Sequence, residues 1–128
     1  MERLVIVVPG RPVPKKVMTR RGKWVGRARQ TLGYQEKVAW AARLAGAKVF
    51  SGPVVLTVRV YVRDDRRGDL KNYVACVEDG LQYAGVLRND RQVMRYGDGT
   101  GIYYDLDERV EVVVEEVRDL GKYSAQRA

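Results

Sequence analysis

Residues Asp64 to Val93 read DDRRGDLKNYVACVEDGLQYAGVLRNDRQV, and this stretch decides the fold. It opens on an acid-and-arginine run that closes a strand ending near Val62. Gly68-Asp69 is a helix-start signal: a carboxylate there can accept backbone N–H bonds and meets the positive end of the dipole. Leu70, Tyr73, Val74, Val77 and Leu81 then recur at helical spacing, which predicts a helix over Asp69–Tyr83. Gly85 turns the chain, and Asn89-Asp90-Arg91-Gln92 leads into a strand over Arg91–Tyr96. If the strands before Asp64 and after Asp90 are neighbours, Asp69 and Asp90 are expected at the same end of one sheet. Two such carboxylates in a basic protein suggest an Mg²⁺ site facing phosphate.

Outward from this stretch, Leu4–Val8 is a short β-branched strand closed by Pro9-Gly10. Arg11 to Gln30 carries Arg11, Lys15, Lys16, Arg20, Arg21, Lys23, Arg27 and Arg29 and no acid. Its prolines and glycines predict a loop over 11–30. That loop is either a solvated segment or an arm that tracks phosphates, with Trp24 able to stack on a base. Thr31–Ala47 is predicted as a helix capped by Thr31, with Tyr34, Val38, Ala41, Ala42 and Ala45 on its apolar face. Val54–Val62 alternates as a strand with one buried face, and Arg109–Val117 is a last strand, expected at or near a sheet edge. The tail from Arg118 is polar. The expected fold is α/β (α+β): a single domain over 1–128 with one mixed sheet and two helices, in the order β-loop-α-β-α-β-β.

Composition narrows the chemistry. There are 24 Lys+Arg against 16 Asp+Glu, a net charge of +8, which favours nucleic acid as partner over an anionic membrane. His is absent and Cys76 is the single cysteine. Imidazole bases, intrachain disulfides and cysteine-based zinc clusters are therefore excluded. No apolar run suits a signal peptide or a membrane span, so a cytoplasmic protein is expected. Besides Asp69 and Asp90, Asp79 is a candidate acid, since it shares a helix face with Asn72; Asp64 and Asp65 are further acids nearby. Lys71, Arg66, Arg67, Arg88 and Arg91 are cations able to steady a phosphate. GDGTG at 97–101 lacks the lysine of a nucleotide-binding loop. For Asp69 a structural reading as a helix cap stands beside the metal reading.

RRGDLKNYVACVEDGLQYAGVLRNDRQV resembles the RusA-type Holliday junction resolvases. Their pattern is an Asp-Leu-Asp-Asn turn, a lysine three residues on, an Asp-Ala-Leu and an Asp-Asp-x-Gln-Val. PGRPVPKK at 9–16 resembles the family's Pro-rich basic opening, and the likeness runs from about Ile6 to Val117. The resemblance implies a homodimeric, Mg²⁺-dependent endonuclease, with Mn²⁺ as a substitute ion, that resolves four-way DNA junctions by paired nicks in recombination and repair. It places the metal acids at Asp69 and Asp90; in a variant of that site Lys71 would supply a catalytic cation and Asp79 would help the metal. Lys15, Lys16, Arg20, Arg21, Lys23, Arg27, Arg29, Arg66 and Arg67 are the expected DNA contacts. Three positions depart from the pattern: Lys71 stands where the family has its second Asp, Ala75 replaces the lysine, and Asn89 replaces the first Asp of the final pair. A variant active site and a junction-binding protein that no longer cuts both follow from those changes. Tyr34, Trp40, Phe50 and Tyr83 are candidates for a dimer interface.

Overall fold

A computed structural model of the chain describes residues 2–16 and 24–125, with residues 24–27 described by backbone alone. Strand β1 (Arg3–Pro9) alternates strictly, with Leu4, Ile6 and Val8 inward. Helix α1 covers Trp24–Leu44, β2 covers Val54–Val62, α2 covers Leu70–Tyr83, β3 covers Val93–Tyr96, β4 covers Gly101–Tyr104 and β5 covers Arg109–Glu116. Among the described residues no helix is long and apolar enough to cross a membrane.

The sheet runs β1-β5-β2, with β3 and β4 following one another along the far side of β2. β5 is antiparallel to both its neighbours, whereas β3 and β4 are parallel to β2. Because strand side chains alternate faces, register aligns the core in rows: Leu4–Val114–Leu56, Ile6–Val112–Val58 and Val8–Val110–Val60. All nine side chains are buried. Each contributes on the order of 1.5–3 kcal/mol of apolar burial. Tyr34 and Val38 of α1 and Tyr73, Val74, Val77 and Leu81 of α2 belong to the same core. The opposite sheet face leaves Val5 and Val7 exposed.

The architecture matches the expected mixed sheet with two helices, and four details differ. First, β5 is near an edge but is not itself one: the edge strand β1 and the central β2 pair on its two sides. Second, β4 is a fifth strand. The 97–100 turn keeps hold of β2 through Gly97 N–H to Leu56 O at 2.9 Å and Val58 N–H to Thr100 Oγ1 at 3.2 Å, so pairing resumes at Gly101. Third, α1 begins at Trp24, so the last part of the basic stretch is helical and Thr31 is a buried position inside the helix, not its cap. Fourth, the polar tail holds a short 3₁₀ turn at Leu120–Tyr123, capped by the Asp119 side chain and visited by Arg95 over the Tyr123 ring.

α2 ends as expected, at Gly85 with φ 78°. Glycine takes this left-handed conformation without a Cβ penalty, and Val86 N–H returns to Leu81 O. Cys76 is buried, and burial pushes its thiol up to about 12, as befits a small core residue.

Candidate active site

The loop from Arg63 to Asp69 leaves β2 and delivers the chain to α2. It is braced from outside. Arg11 places Nη1 2.6 Å from Glu108 Oε2, and its Nη2 donates to the Arg66 carbonyl. Glu108 also accepts from the Arg63 amide at 3.2 Å, while Asp64 accepts from the Arg66 amide and guanidinium. Gly68 N–H reaches Tyr73 Oη at 2.9 Å, and Arg67 lies beside Tyr104. Asp64 is held below the usual carboxylate range, chiefly by the Arg66 backbone N–H. Arg66 and Arg67 remain on the surface.

Asp69 stands at the N-cap position of α2 with extended backbone, yet its side chain makes no capping hydrogen bond. The cap is made by its carbonyl, which accepts from Asn72 and Tyr73. The carboxylate is exposed. The side chain is therefore not held by a capping hydrogen bond.

Asp90 opens a 3₁₀ turn, Asp90–Gln92, that precedes β3. Asn89 caps the turn by accepting from Arg91 N–H at 2.8 Å. Gln92 fastens the turn to the sheet. Its Oε1 accepts from Arg88 N–H at 2.7 Å and Asn89 N–H at 3.1 Å, and its Nε2 donates to Phe50 O at 2.5 Å and Gly52 O at 3.0 Å. Gln92→Ala orphans two amides and two carbonyls. At roughly 0.5–1.5 kcal/mol net per hydrogen bond, a loss of about 2–6 kcal/mol is expected. Urea unfolding checks this, and a loss under about 0.5 kcal/mol would show that the turn holds without its clamp.

The expectation that Asp69 and Asp90 emerge at the same end of the sheet is overturned. β3 is parallel to β2 with Val93 opposite Val54, so Asp90 lies before the first residues of β2. Asp69 lies beyond its last residue, Val62. Between them run the 14 residues of α2. At about 1.5 Å rise each, the helix spans ~20 Å. One ion bridging both carboxylates of one chain is excluded by that length. Among the described residues no group of three or more His, Cys, Asp or Glu is arranged to hold a metal. The acids of one chain do not fit the ion.

Asp79 is drawn into another contact. Its Oδ2 lies 2.7 Å from Lys15 Nζ and accepts from Gln35 Nε2 at 3.2 Å. The Asp79 hydrogen bond holds the Lys15 ammonium above its ordinary range. Together with Lys15 N–H to Asn72 O at 2.9 Å, this pins the Pro-rich segment along α2. Lys16, Arg29 and Lys71 form no ion pair among the described residues. Arg20, Arg21 and Lys23 lie outside the described residues, as do the side chains of Trp24 and Arg27. Tyr34 and Phe50 are core residues, while Trp40 and Tyr83 are exposed and line one cleft with Lys37 and Arg43.

Glu78 is a candidate that sequence reasoning missed. It faces a cavity of about 430 Å³ lined also by Leu70, Lys71, Val74, Tyr96, Gly97 and Thr100. Burial pushes its carboxyl up, and the charges of Asp90 and Asp79 add to this, against the Tyr96 hydroxyl that donates at 2.8 Å. Its place seven residues after Lys71 puts it on the Lys71 side of α2, the signal that could have found it.

A protein-family model described as Endodeoxyribonuclease RusA matches residues 9–115. No curated protein matches the chain.

Proposed function

The chain belongs to the RusA endodeoxyribonuclease family, and from that premise we propose that it is a divalent-cation-dependent endonuclease, Mg²⁺ being the working ion and Mn²⁺ a substitute. Its substrate is branched DNA, above all the four-way junction, which it resolves by paired nicks as a homodimer in cytoplasmic recombination and repair. The observation that carries this reading is Asp69: an exposed carboxylate at a braced helix start whose side chain does no capping. Asp69 and Asp90 are the acids of the nuclease, and since α2 keeps them apart within one chain they can serve one centre only across the homodimer, with Lys71 beside Asp69 to steady the scissile phosphate. When bound, a divalent cation supplies charge neutralisation and a more acidic water.

A two-fold symmetric dimer suits a junction that is itself close to two-fold symmetric. Lys16, Arg20, Arg21, Lys23, Arg27, Arg29, Arg66 and Arg67 are assigned to the DNA backbone. Lys15 acts indirectly, by holding the Pro-rich segment on Asp79.

The test is nicking of a labelled synthetic four-way junction with Mg²⁺, beside a gel shift in chelator. A second reading, a junction-binding member that no longer cuts, is favoured by Lys71 and Ala75 at positions where the family's Asp and Lys stand. It predicts the shift without nicks.

Backbone tracking carries its own expectation. For about 6 phosphate contacts, log affinity against log salt should fall with a slope of roughly −5. Replacing Lys16, Arg20, Arg21 and Lys23 by Ala should flatten that slope by about 3 to 4 units. Fluorescence anisotropy over a salt series measures it, and an unchanged slope would move DNA binding to another surface.

A further inference from the structure

We propose that a groove along α1 holds single-stranded DNA beside a branch, its bases stacking on Trp40 and Tyr83. The inference rests on the reading of DNA as the partner, but not on cutting, and the groove is separate from the acids that cut.

Two cavities run into each other along α1. One, of about 450 Å³, adjoins the Pro-rich segment and is lined by Arg11, Lys16, Gly33 and Lys37 among others. The second, of about 400 Å³, continues from Gly33 and Lys37 to Trp40, Arg43 and Tyr83. Gly33, Lys37 and Trp40 stand at i, i+4 and i+7, so they share one face of the helix. A Cβ at Gly33 would meet nothing within 4 Å, so the place where the cavities join is open. From Gly33 to Arg43 the helix rises ~15 Å. That run matches about four nucleotides at ~3.4 Å each.

The side chains in the groove suit phosphate and base together. Trp40 is 62% exposed and Tyr83 is 64% exposed, and they come from different helices. Among the described residues neither ring has a stacking or cation–π partner. Lys16, Lys37 and Arg43 form no ion pair among the described residues. Glu36 is the one acid lining either cavity. Unpaired cations beside free aromatic faces are the elements of a single-strand platform.

Other occupants fit less well. A duplex arm keeps its bases stacked inside and offers the rings nothing. A second copy docked here across a two-fold axis would set a basic patch against itself. Continuity with the cutting end also favours a strand of the substrate. Arg11, at the other end of the groove, donates to the Arg66 carbonyl in the loop that leads to Asp69.

Fluorescence gives a direct test. Trp24→Phe leaves Trp40 as the single tryptophan of the chain. In chelator, an end-labelled oligothymidylate should quench Trp40 as it binds. Trp40→Ala and Tyr83→Ala should each weaken that binding, read by anisotropy, by about 5- to 150-fold, the scale of one base–aromatic stack. Trp40→Phe should retain most of it. Lys37→Ala with Arg43→Ala should flatten the salt slope by about 1.4, at ~0.7 per cation on a single strand. Both rings are exposed, so the urea midpoints of the alanine variants should stay at the wild-type value. Their affinity for a duplex of equal length should not change.

Oligothymidylate that binds without quenching Trp40 would overturn the proposal, as would alanine variants that bind it like wild type. An equal loss of affinity for duplex would reduce the groove to phosphate contact and overturn the stacking. Alanine variants that are monomeric by light scattering where wild type is dimeric, with single-strand binding intact, would give the cleft to a second copy. All of these are read in chelator, so the nuclease reading stands or falls separately, on the junction assay.

Discussion

Asp69→Asn and Asp90→Asn are each expected to lower nicking of a four-way junction by on the order of 10³-fold or more, the scale of losing a preorganised electrostatic group at a reacting centre. Asparagine keeps the shape of the side chain and one of its oxygens but carries no charge. For Asp69 the structure allows a clean comparison. Its carboxylate makes no cap hydrogen bond, so the substitution should leave stability within about 0.5 kcal/mol. Asp90 is exposed at the head of its turn, and the hydrogen bonds that hold the turn belong to Asn89 and Gln92. Affinity for the junction should be unchanged or somewhat tighter, because an anion facing phosphate is removed. Rate, urea midpoint and gel shift measured on the same preparations separate the effects. A variant that keeps its fold and its junction affinity and still nicks at the wild-type rate would return that aspartate to a bystander.

How far the sequence carried is clearest at α2. Its apolar spacing and Gly85 located the helix to within one residue, because an amphipathic stripe and a left-handed glycine stop are local signals. The strands β1 and β2 were legible for the same reason. What failed was every feature set by distant pairing. Strand direction is not written in any one strand: Val93 could have faced either end of β2, and the parallel choice separated Asp69 from Asp90. β5 looked like an edge because Glu111 and Glu115 alternate with its valines, yet its two neighbours come from the start and the middle of the chain. β4 was hidden behind a glycine-rich turn that keeps its hydrogen bonds to β2. The start of α1 was missed because Gly26 and the cations around it argue for a loop, and local preference is only a weak prior on helix formation.

At the site, the residue types were legible and their assembly was not. Gln92 was visible as part of a motif, but two of its four hydrogen bonds go to Phe50 and Gly52, 42 and 40 residues away. Lys15 and Asp79 were read as a DNA contact and a metal ligand, and the fold sets them against each other. A cation and an acid 64 positions apart give no warning of such a pair.

Gly80→Val is expected to destabilise the protein by about 3 kcal/mol, the upper range for overpacking a close contact. Gly80 is buried where α2 meets α1. A Cβ there would lie 2.7 Å from Val38 Cβ, 2.8 Å from Val38 Cγ1 and 3.0 Å from the Gln35 carbonyl oxygen. The first and last of these are backbone-fixed positions that no rotamer change can clear. The helices must therefore separate, and the Gln35–Asp79 hydrogen bond lies on the line of separation. An exposed helical glycine would gain about 1 kcal/mol on becoming alanine; here even Gly80→Ala should lose stability. Val38→Ala in the same chain relieves the 2.8 Å contact and leaves the 2.7 Å one, so it should rescue Gly80→Ala only in part. For a domain of this size a 3 kcal/mol loss lowers the melting temperature by on the order of 10 °C. Urea and thermal unfolding of the two single variants and the double measure these differences. A Gly80→Val protein as stable as wild type would show that α1 and α2 do not meet at the separation seen here.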